Sequence, residues 1–213
     1  CLRDLKKWHE DNPNHSPKLV VLNLKLKAKK FTSAHMRNFE KSIYKVIGKS
    51  NLYRPVDRKG KYKNLAQAVN KSDWPTLDSL RGKFIFLINA GPAFLTSHGN
   101  KTLSRYIDTC GYKAAGFACP FPLDKDDLVK SSKWKHIKKN SRHIACITVQ
   151  YDRKKGLKDI FKKKKARIRA QKMLMDVWNP VGAEESFIKS PCLTKGSACA
   201  DDPRGFNTLV RTG

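Results

Sequence analysis

The sequence predicts an α/β fold built on parallel strands. Three observations carry that expectation. Apolar runs of strand length recur along the chain, helical patterns separate them, and no hairpin signal joins any two. Strands that alternate with helices connect by right-handed crossovers and lie parallel in one sheet. A doubly wound sheet and a (β/α)₈ barrel both satisfy the pattern.

Leu2, Leu5 and either Trp8 or His9 share one stripe of an opening helix, ended by the breaker cluster Asp11-Asn12-Pro13-Asn14. Lys18 to Lys27 reads as a buried strand centred on Leu19-Val20-Val21-Leu22-Asn23-Leu24. Thr32 or Ser33 caps a helix to about Ile47, with Phe39, Ile43 and Ile47 spaced i, i+4, i+8 and Gly48 as the stop. Residues 49–63 read as a basic loop and 64–70 as a short helix. Asp73 to Gly82 is a Pro-initiated turn closed by glycine. Lys83 to Ala90 is the clearest strand. Beyond it the pattern predicts a helix near 101–109, a strand near 113–119, a helix over Leu128 to Lys139 and a strand over His143 to Val149. Leu157 to Trp178 reads as the longest helix, and the tail from Lys189 as turn-rich and irregular.

Charge narrows the partners. The 213 residues carry 45 Lys and Arg against 18 Asp and Glu, a formal +27. Self-repulsion on that scale works against a compact fold, so a partner rich in phosphate is expected, either nucleic acid or an anionic membrane face. The run Lys162-Lys163-Lys164-Lys165 with Arg167 and Arg169 wraps a helix completely, which attracts any polyanion without forming a groove. No apolar stretch reaches the roughly 18 residues of a membrane span. Specific single-strand recognition is unsupported, because aromatics among the basic stretches are sparse.

Six cysteines, at 1, 110, 119, 146, 192 and 199, show no Cys-x-x-Cys metal spacing. Cys192 and Cys199 could close a local loop, and Cys110 and Cys119 bracket a Gly-rich strand and could pair. Cys119 and Cys146 both sit in apolar runs, where a small buried hydrophobe is at least as good a reading as a bond. The balance leans weakly to a secreted or extracytoplasmic setting. With no leader visible and no initial Met, the sequence is expected to open at a processed end or in mid-protein.

Phosphate-binding Gly-rich loops, the Gly-x-Ser-x-Gly elbow and His-Glu-x-x-His are all missing, against common nucleotide-binding enzymes, α/β-hydrolases and zinc proteases. Chemistry in parallel α/β folds sits at the C-terminal ends of strands. The first strand ends in Asn23 and Lys25, alternate residues facing the same way that could hold a phosphate or metal-bound phosphate oxygen, though spacing alone equally reads as a strand edge whose Lys reaches solvent. Asn89 ends the second, followed by Thr96, Ser97 and His98, the last a general acid-base candidate in a Gly-flanked loop. The histidines at 9, 15, 35, 136 and 143 lie on helices or beside loops and show no ligand pairing.

The stretch Cys1-Leu2-Arg3-Asp4-Leu5-Lys6-Lys7-Trp8-His9, then Asn12-Pro13, His15-Ser16-Pro17 and Leu19 to Lys25, resembles the phospholipase C-like phosphodiesterases. Trp74-Pro75-Thr76-Leu77-Asp78-Ser79-Leu80-Arg81-Gly82-Lys83-Phe84-Ile85-Phe86-Leu87 is similar to the family's next characteristic segment, and Ala115-Gly116-Phe117 suits it too. The likeness spans about residues 1–120 and is nearest the calcium-dependent phosphoinositide phospholipase C branch.

The resemblance implies a partial or modified (β/α) barrel of the phospholipase C-like phosphodiesterase type, over residues 1–188, with 189–213 as its irregular tail. It places Asn23 where the family usually has a Glu that helps bind the metal, and leaves Lys25 in its expected place. A neutral amide is a much poorer calcium ligand than a carboxylate. The family's two catalytic histidines and most metal ligands belong to strands that would precede residue 1. Gly182-Ala183 resembles a segment that normally reaches a Thr-Asp pair, where this chain reads Lys189-Ser190-Pro191.

The expected function is a phosphodiester hydrolase domain acting on an anionic, phosphoinositide-like substrate, incomplete or impaired as it stands. Lys25 and His98 are its catalytic candidates, Asn23, Lys25 and Arg81 its substrate contacts, and Asn23 the one residue offered to calcium. The rival is a non-catalytic basic barrel that binds anionic membranes or other polyanions. A nuclease-like domain, from the likeness of Asn23-x-Lys25 to a Glu-x-Lys strand end, ranks last because acidic partners are missing.

Overall fold

A computed structural model describes residues 2–24, 32–89, 97–120, 142–150, 174–178 and 198–200. The opening stripe forms α1 (Leu2–Asp11), with Leu2, Leu5 and His9 turned inward and Trp8 left exposed. Pro13 stops it, and the chain enters β1 (Lys18–Asn23). Thr32 caps α2 (Ser33–Ile47) by accepting from the His35 amide, while His35 Nδ1 accepts from the Thr32 amide. The buried face of α2 is Met36, Glu40, Ile43 and Ile47, with Phe39 beside it half-buried.

The expected basic loop after Gly48 is structured. It holds a 3₁₀ turn (Lys49–Asn51) and α3 (Pro55–Lys59), whose N-terminal proline supplies helical φ at a position needing no hydrogen bond. α4 (Leu65–Lys71) follows, capped by Asn64. Arg58 of α3 is buried and donates to the carbonyls of Ala68 and Ser72 and to the Ser72 hydroxyl, at the C-terminal end of α4. Its guanidinium also lies 4.7 Å from the Trp74 ring, so the helix end and an aromatic face hold a buried cation.

β2 (Phe84–Asn89) is buried at all six positions. It pairs in parallel with β1, Lys18 opposite Phe84 through Asn23 opposite Asn89, and with β3 (Gly116–Ala118), Leu87 opposite Phe117. α5 (Ser97–Cys110) crosses from β2 to β3. Consecutive strands are therefore neighbours, in the order β1-β2-β3. A second sheet repeats the arrangement with β4 (Cys146–Gln150), β5 (Leu174–Trp178) and β6 (Ala198–Ala200), parallel and again in sequential order. No doubly wound reversal of strand order occurs within either sheet.

Several expectations change. Leu174–Trp178 is a strand, not the end of a helix begun at Leu157; five residues cannot declare a period, and pairing with β4 and β6 decides the matter. The rest of that expected helix, and the one over 128–139, lie outside the described residues. Ala198–Ala200, in the tail expected to be irregular, pairs with β5. Cys119 and Cys146 are disulfide-bonded rather than merely buried, with Cα atoms 5.0 Å apart, and Cys110 is free, so the suggested Cys110–Cys119 pair does not form. Cys192 lies outside the described residues. His9 and His15 meet by a ring hydrogen bond rather than as metal ligands: His9 Nδ1 is 3.0 Å from His15 Nε2, and both rings pack on Phe84.

The disulfide ties the end of β3 to the start of β4, and Ile144, Ala145 and Cys146 join the core that β2 organises. Gly82, at φ +70°, donates its amide to the His15 carbonyl; a Cβ there would collide with the Pro13 carbonyl. The α1–β1 turn therefore docks on a glycine that no other residue can replace without strain.

One buried carboxylate joins helices to sheet. Glu40 Oε1 accepts from the Tyr106 hydroxyl and Oε2 from the Ala115 amide, each at 2.5 Å, while the residue is 7% exposed. Burial raises its pKa, and the hydrogen bonds from Tyr106 and Ala115 oppose that rise. Burial, and then the Glu40 charge, push the nearby Cys110 thiol up to about 12.

Glu40→Ala should cost about 2 kcal/mol in urea unfolding, because two buried donors lose their acceptor. The raised pKa means the native state holds the proton longer than the unfolded chain. Glu40's contribution is therefore complete below the ordinary value of 4.5 and declines as pH rises through the folded value. The gap between wild type and Glu40→Ala should shrink accordingly on titration upward from pH 4. Replacing Cys119 and Cys146 by Ser opens a loop with a sequence separation of 27 and should lower stability by roughly 3 kcal/mol in the same assay.

Candidate functional site

The C-terminal edge of the first sheet is where a parallel α/β fold leaves strand ends and loop backbone open to a ligand. β1 and β2 end there in register on two amide residues, with Asn23 opposite Asn89. The ladder continues past both: the Leu24 amide donates to the Asn89 carbonyl at 2.8 Å, and the Cys119 amide donates to the Ile88 carbonyl at 2.8 Å. The backbone of the rim is therefore held on both sides of Asn89.

Asn89 is 3% exposed, and among the described residues its Oδ1 has no hydrogen-bond partner. Burying an amide oxygen without a donor costs on the order of 1–3 kcal/mol. Most buried polar groups avoid that cost, so a donor to this oxygen has to come from outside the described residues, from the chain itself or from a ligand. Lys25 lies two residues past Asn23 and falls outside the described residues, as does Thr96. His98 belongs to the first turn of α5, so its backbone stands at this same end of the sheet. The sequence reading passed over Asn89 as a mere strand terminus. The signal that finds it is the alignment of the two strands, which sets it beside Asn23.

Arg81 does not join this group. It precedes β2, at the N-terminal end of a strand that spans about 17 Å between its terminal Cα atoms. There its Nε donates to Asp78 Oδ1 at 3.0 Å and its Nη1 to the Asn14 carbonyl at 3.4 Å, which braces the α1–β1 turn. The pairing of His9 with His15 is at that end too.

Calcium was tested against the residues present. Among the described residues no three His, Cys, Asp or Glu side chains gather into a possible metal site. Two neighbouring amides offer carbonyl oxygens only, whereas calcium sites draw on carboxylates as well. The described stretch of the rim does not fit a calcium ion by itself.

Comparison with known proteins agrees with the geometry. The family described as phosphoinositide phospholipase C, Ca2+-dependent, matches residues 1–107. No curated protein matches the chain. A calcium-dependent phosphoinositol-specific phospholipase C from the Gram-negative bacterium Pseudomonas sp. is similar in structure in an apo crystal form. The TM-score is 0.70 at 22% identity, over 94% of this chain and 63% of that one. The same enzyme titled as a myoinositol complex gives 0.68 at 21%, over 94% and 64%. A Ca2+-dependent phosphatidylinositol-specific phospholipase C from Streptomyces antibioticus gives 0.64 at 18%, over 98% and 71%. At these identities the likeness is one of fold. The chain spans a little under two thirds of the length of the Pseudomonas enzyme.

Asn89→Leu removes the orphan acceptor at nearly constant volume. It should raise the unfolding free energy by about 1 kcal/mol in urea titration. A loss of similar size would show that the amide serves the fold rather than a ligand.

Proposed function

The chain belongs to the family of Ca2+-dependent phosphoinositide phospholipases C, and on that premise we propose that it is part of a (β/α) barrel hydrolase acting on an anionic, phosphoinositide-like phosphodiester. The observation that carries the reading is the buried Asn89 Oδ1, which has no partner among the described residues and lies on a residue in register with Asn23 at the end of the sheet where barrel chemistry takes place. The singly wound order of both sheets supports a barrel over a doubly wound sheet.

In this reaction a base takes the proton of the inositol 2-hydroxyl, its oxygen attacks phosphorus, and an acid returns a proton to the departing lipid oxygen. A divalent cation, if held at such a site, would stabilise the negative charge that builds on the phosphoryl oxygens. The residues of this stretch take the positioning roles. Asn89 Oδ1 accepts a hydrogen bond from a substrate hydroxyl, Lys25 faces the phosphate and Asn23 stands beside it. His98 is the acid-base residue that the first turn of α5 offers. Asn23 in place of a carboxylate makes residues 1–213 slow by themselves. The Cys119–Cys146 disulfide supports an oxidising, extracytoplasmic setting. Among the described residues no helix is long and apolar enough to cross a membrane.

A second reading, a non-catalytic basic barrel on anionic membranes, is favoured by the formal +27 alone. Hydrolysis of phosphatidylinositol vesicles, with calcium and with chelator, separates the two when run beside vesicle sedimentation at low and high salt. The hydrolase reading predicts slow, calcium-dependent release of inositol phosphate. Asn23→Glu should raise that release, and Lys25→Ala or Asn89→Leu should lower it at least tenfold. Salt-sensitive sedimentation without release would leave the membrane-binding reading, and neither would turn attention to nucleic acid.

A further inference from the structure

At the opposite end of β2 from Asn89, a cavity of about 450 Å³ opens between the 3₁₀ turn after α2, the start of α3 and the turn before β2. Lys49, Arg54 and Lys83 line it, with Asp57 as the one carboxylate among its lining residues and the hydroxyl residues Ser50 and Ser79 on its walls. The floor is tied to the sheet, because Leu52 bridges to Phe84 and the Tyr53 amide donates to the Phe84 carbonyl at 2.9 Å.

The cations are held before any ligand arrives. Arg54 donates from Nε and Nη2 to the two oxygens of Asp57, each at 3.0 Å. The Lys83 ammonium donates to the Ser50 carbonyl, and the Lys49 ammonium lies 5.4 Å from the centre of the Tyr44 ring. A free lysine or arginine loses rotamer entropy when it closes on an anion, and side chains already braced lose less. Three cations against one carboxylate leave an excess of two positive charges. A phosphate monoester carries about −1.5 to −2 at neutral pH, which matches that excess. The volume falls within the roughly 300–1,000 Å³ of small-molecule pockets, room for a phosphorylated ring as well as for phosphate itself.

We propose that this cavity is a second anion site, separate from the strand-end rim, which takes a phosphate monoester group on a small polar ring. The group can come from a soluble sugar or inositol phosphate, or from a phosphorylated lipid headgroup. The inference does not depend on the hydrolase reading, since no residue of the rim takes part.

Calorimetric titration of the whole chain at about 0.15 M salt with inorganic phosphate and with inositol 1-phosphate tests it. Flotation with vesicles that do or do not contain a monophosphorylated inositol lipid runs in parallel. Both soluble ligands should bind. Lys49→Ala with Lys83→Ala should weaken them at least tenfold, and so should Lys49→Glu, an exposed position on which the fold does not rest. Lys7→Ala with Lys41→Ala removes the same charge elsewhere and should change affinity less than twofold. Vesicle capture lost in Lys49→Glu, beyond the loss of soluble binding, would assign the group to a lipid; soluble binding alone would assign it to a free metabolite. Absence of binding heat at millimolar ligand, an equal loss in the charge-matched control, or loss in Asn89→Leu with none in Lys49→Glu would overturn the proposal.

Discussion

The structure rests on the complete burial of β2. Six consecutive buried residues require a paired strand on each edge and a covered layer on each face, because neither backbone nor side chains meet water. β1 and β3 meet the first need by parallel pairing, and parallel pairing makes a crossover helix necessary between each pair of strands. The helices α2 and α5 are then placed by the sheet. Their contact with it is fastened by Glu40, which receives the Tyr106 hydroxyl from α5 and the Ala115 amide at the entrance to β3.

That arrangement gives the two ends of β2 opposite characters. The C-terminal end finishes on two amide residues in register, one of them with a buried oxygen that has no donor among the described residues. The N-terminal end gathers the structural braces: Gly82 under the Pro13 carbonyl, His9 against His15, Arg81 on Asp78, and the cationic cavity beside Lys83.

The fold was largely legible because it is written in local pattern. The runs at 19–24 and 84–88 are strand-like by composition, Thr32 and Gly48 bracket α2 by capping chemistry, and strict alternation of helix and strand dictates parallel pairing. The site was half legible. Asn23 and Lys25 stand out at a strand end, but Asn89 gains meaning only from its register with Asn23, and only the fold shows that Arg81 lies at the other end of β2. Leu174–Trp178 was misread because a short apolar run beside a lysine-rich helical pattern has no period of its own.

By itself the sequence determined the α/β class, the parallel order, the excess of positive charge and the family likeness over its first half, since each depends on residue type and spacing along one chain. Tertiary structure alone decided which cysteines bond, which histidines meet and which strand ends share an edge. It also decided that Glu40 on the apolar stripe of α2 would be a buried acceptor rather than a surface charge. Those outcomes join residues 6 to 75 positions apart, and contacts at such separations are set by how the sheet closes on its helices, which no local pattern encodes.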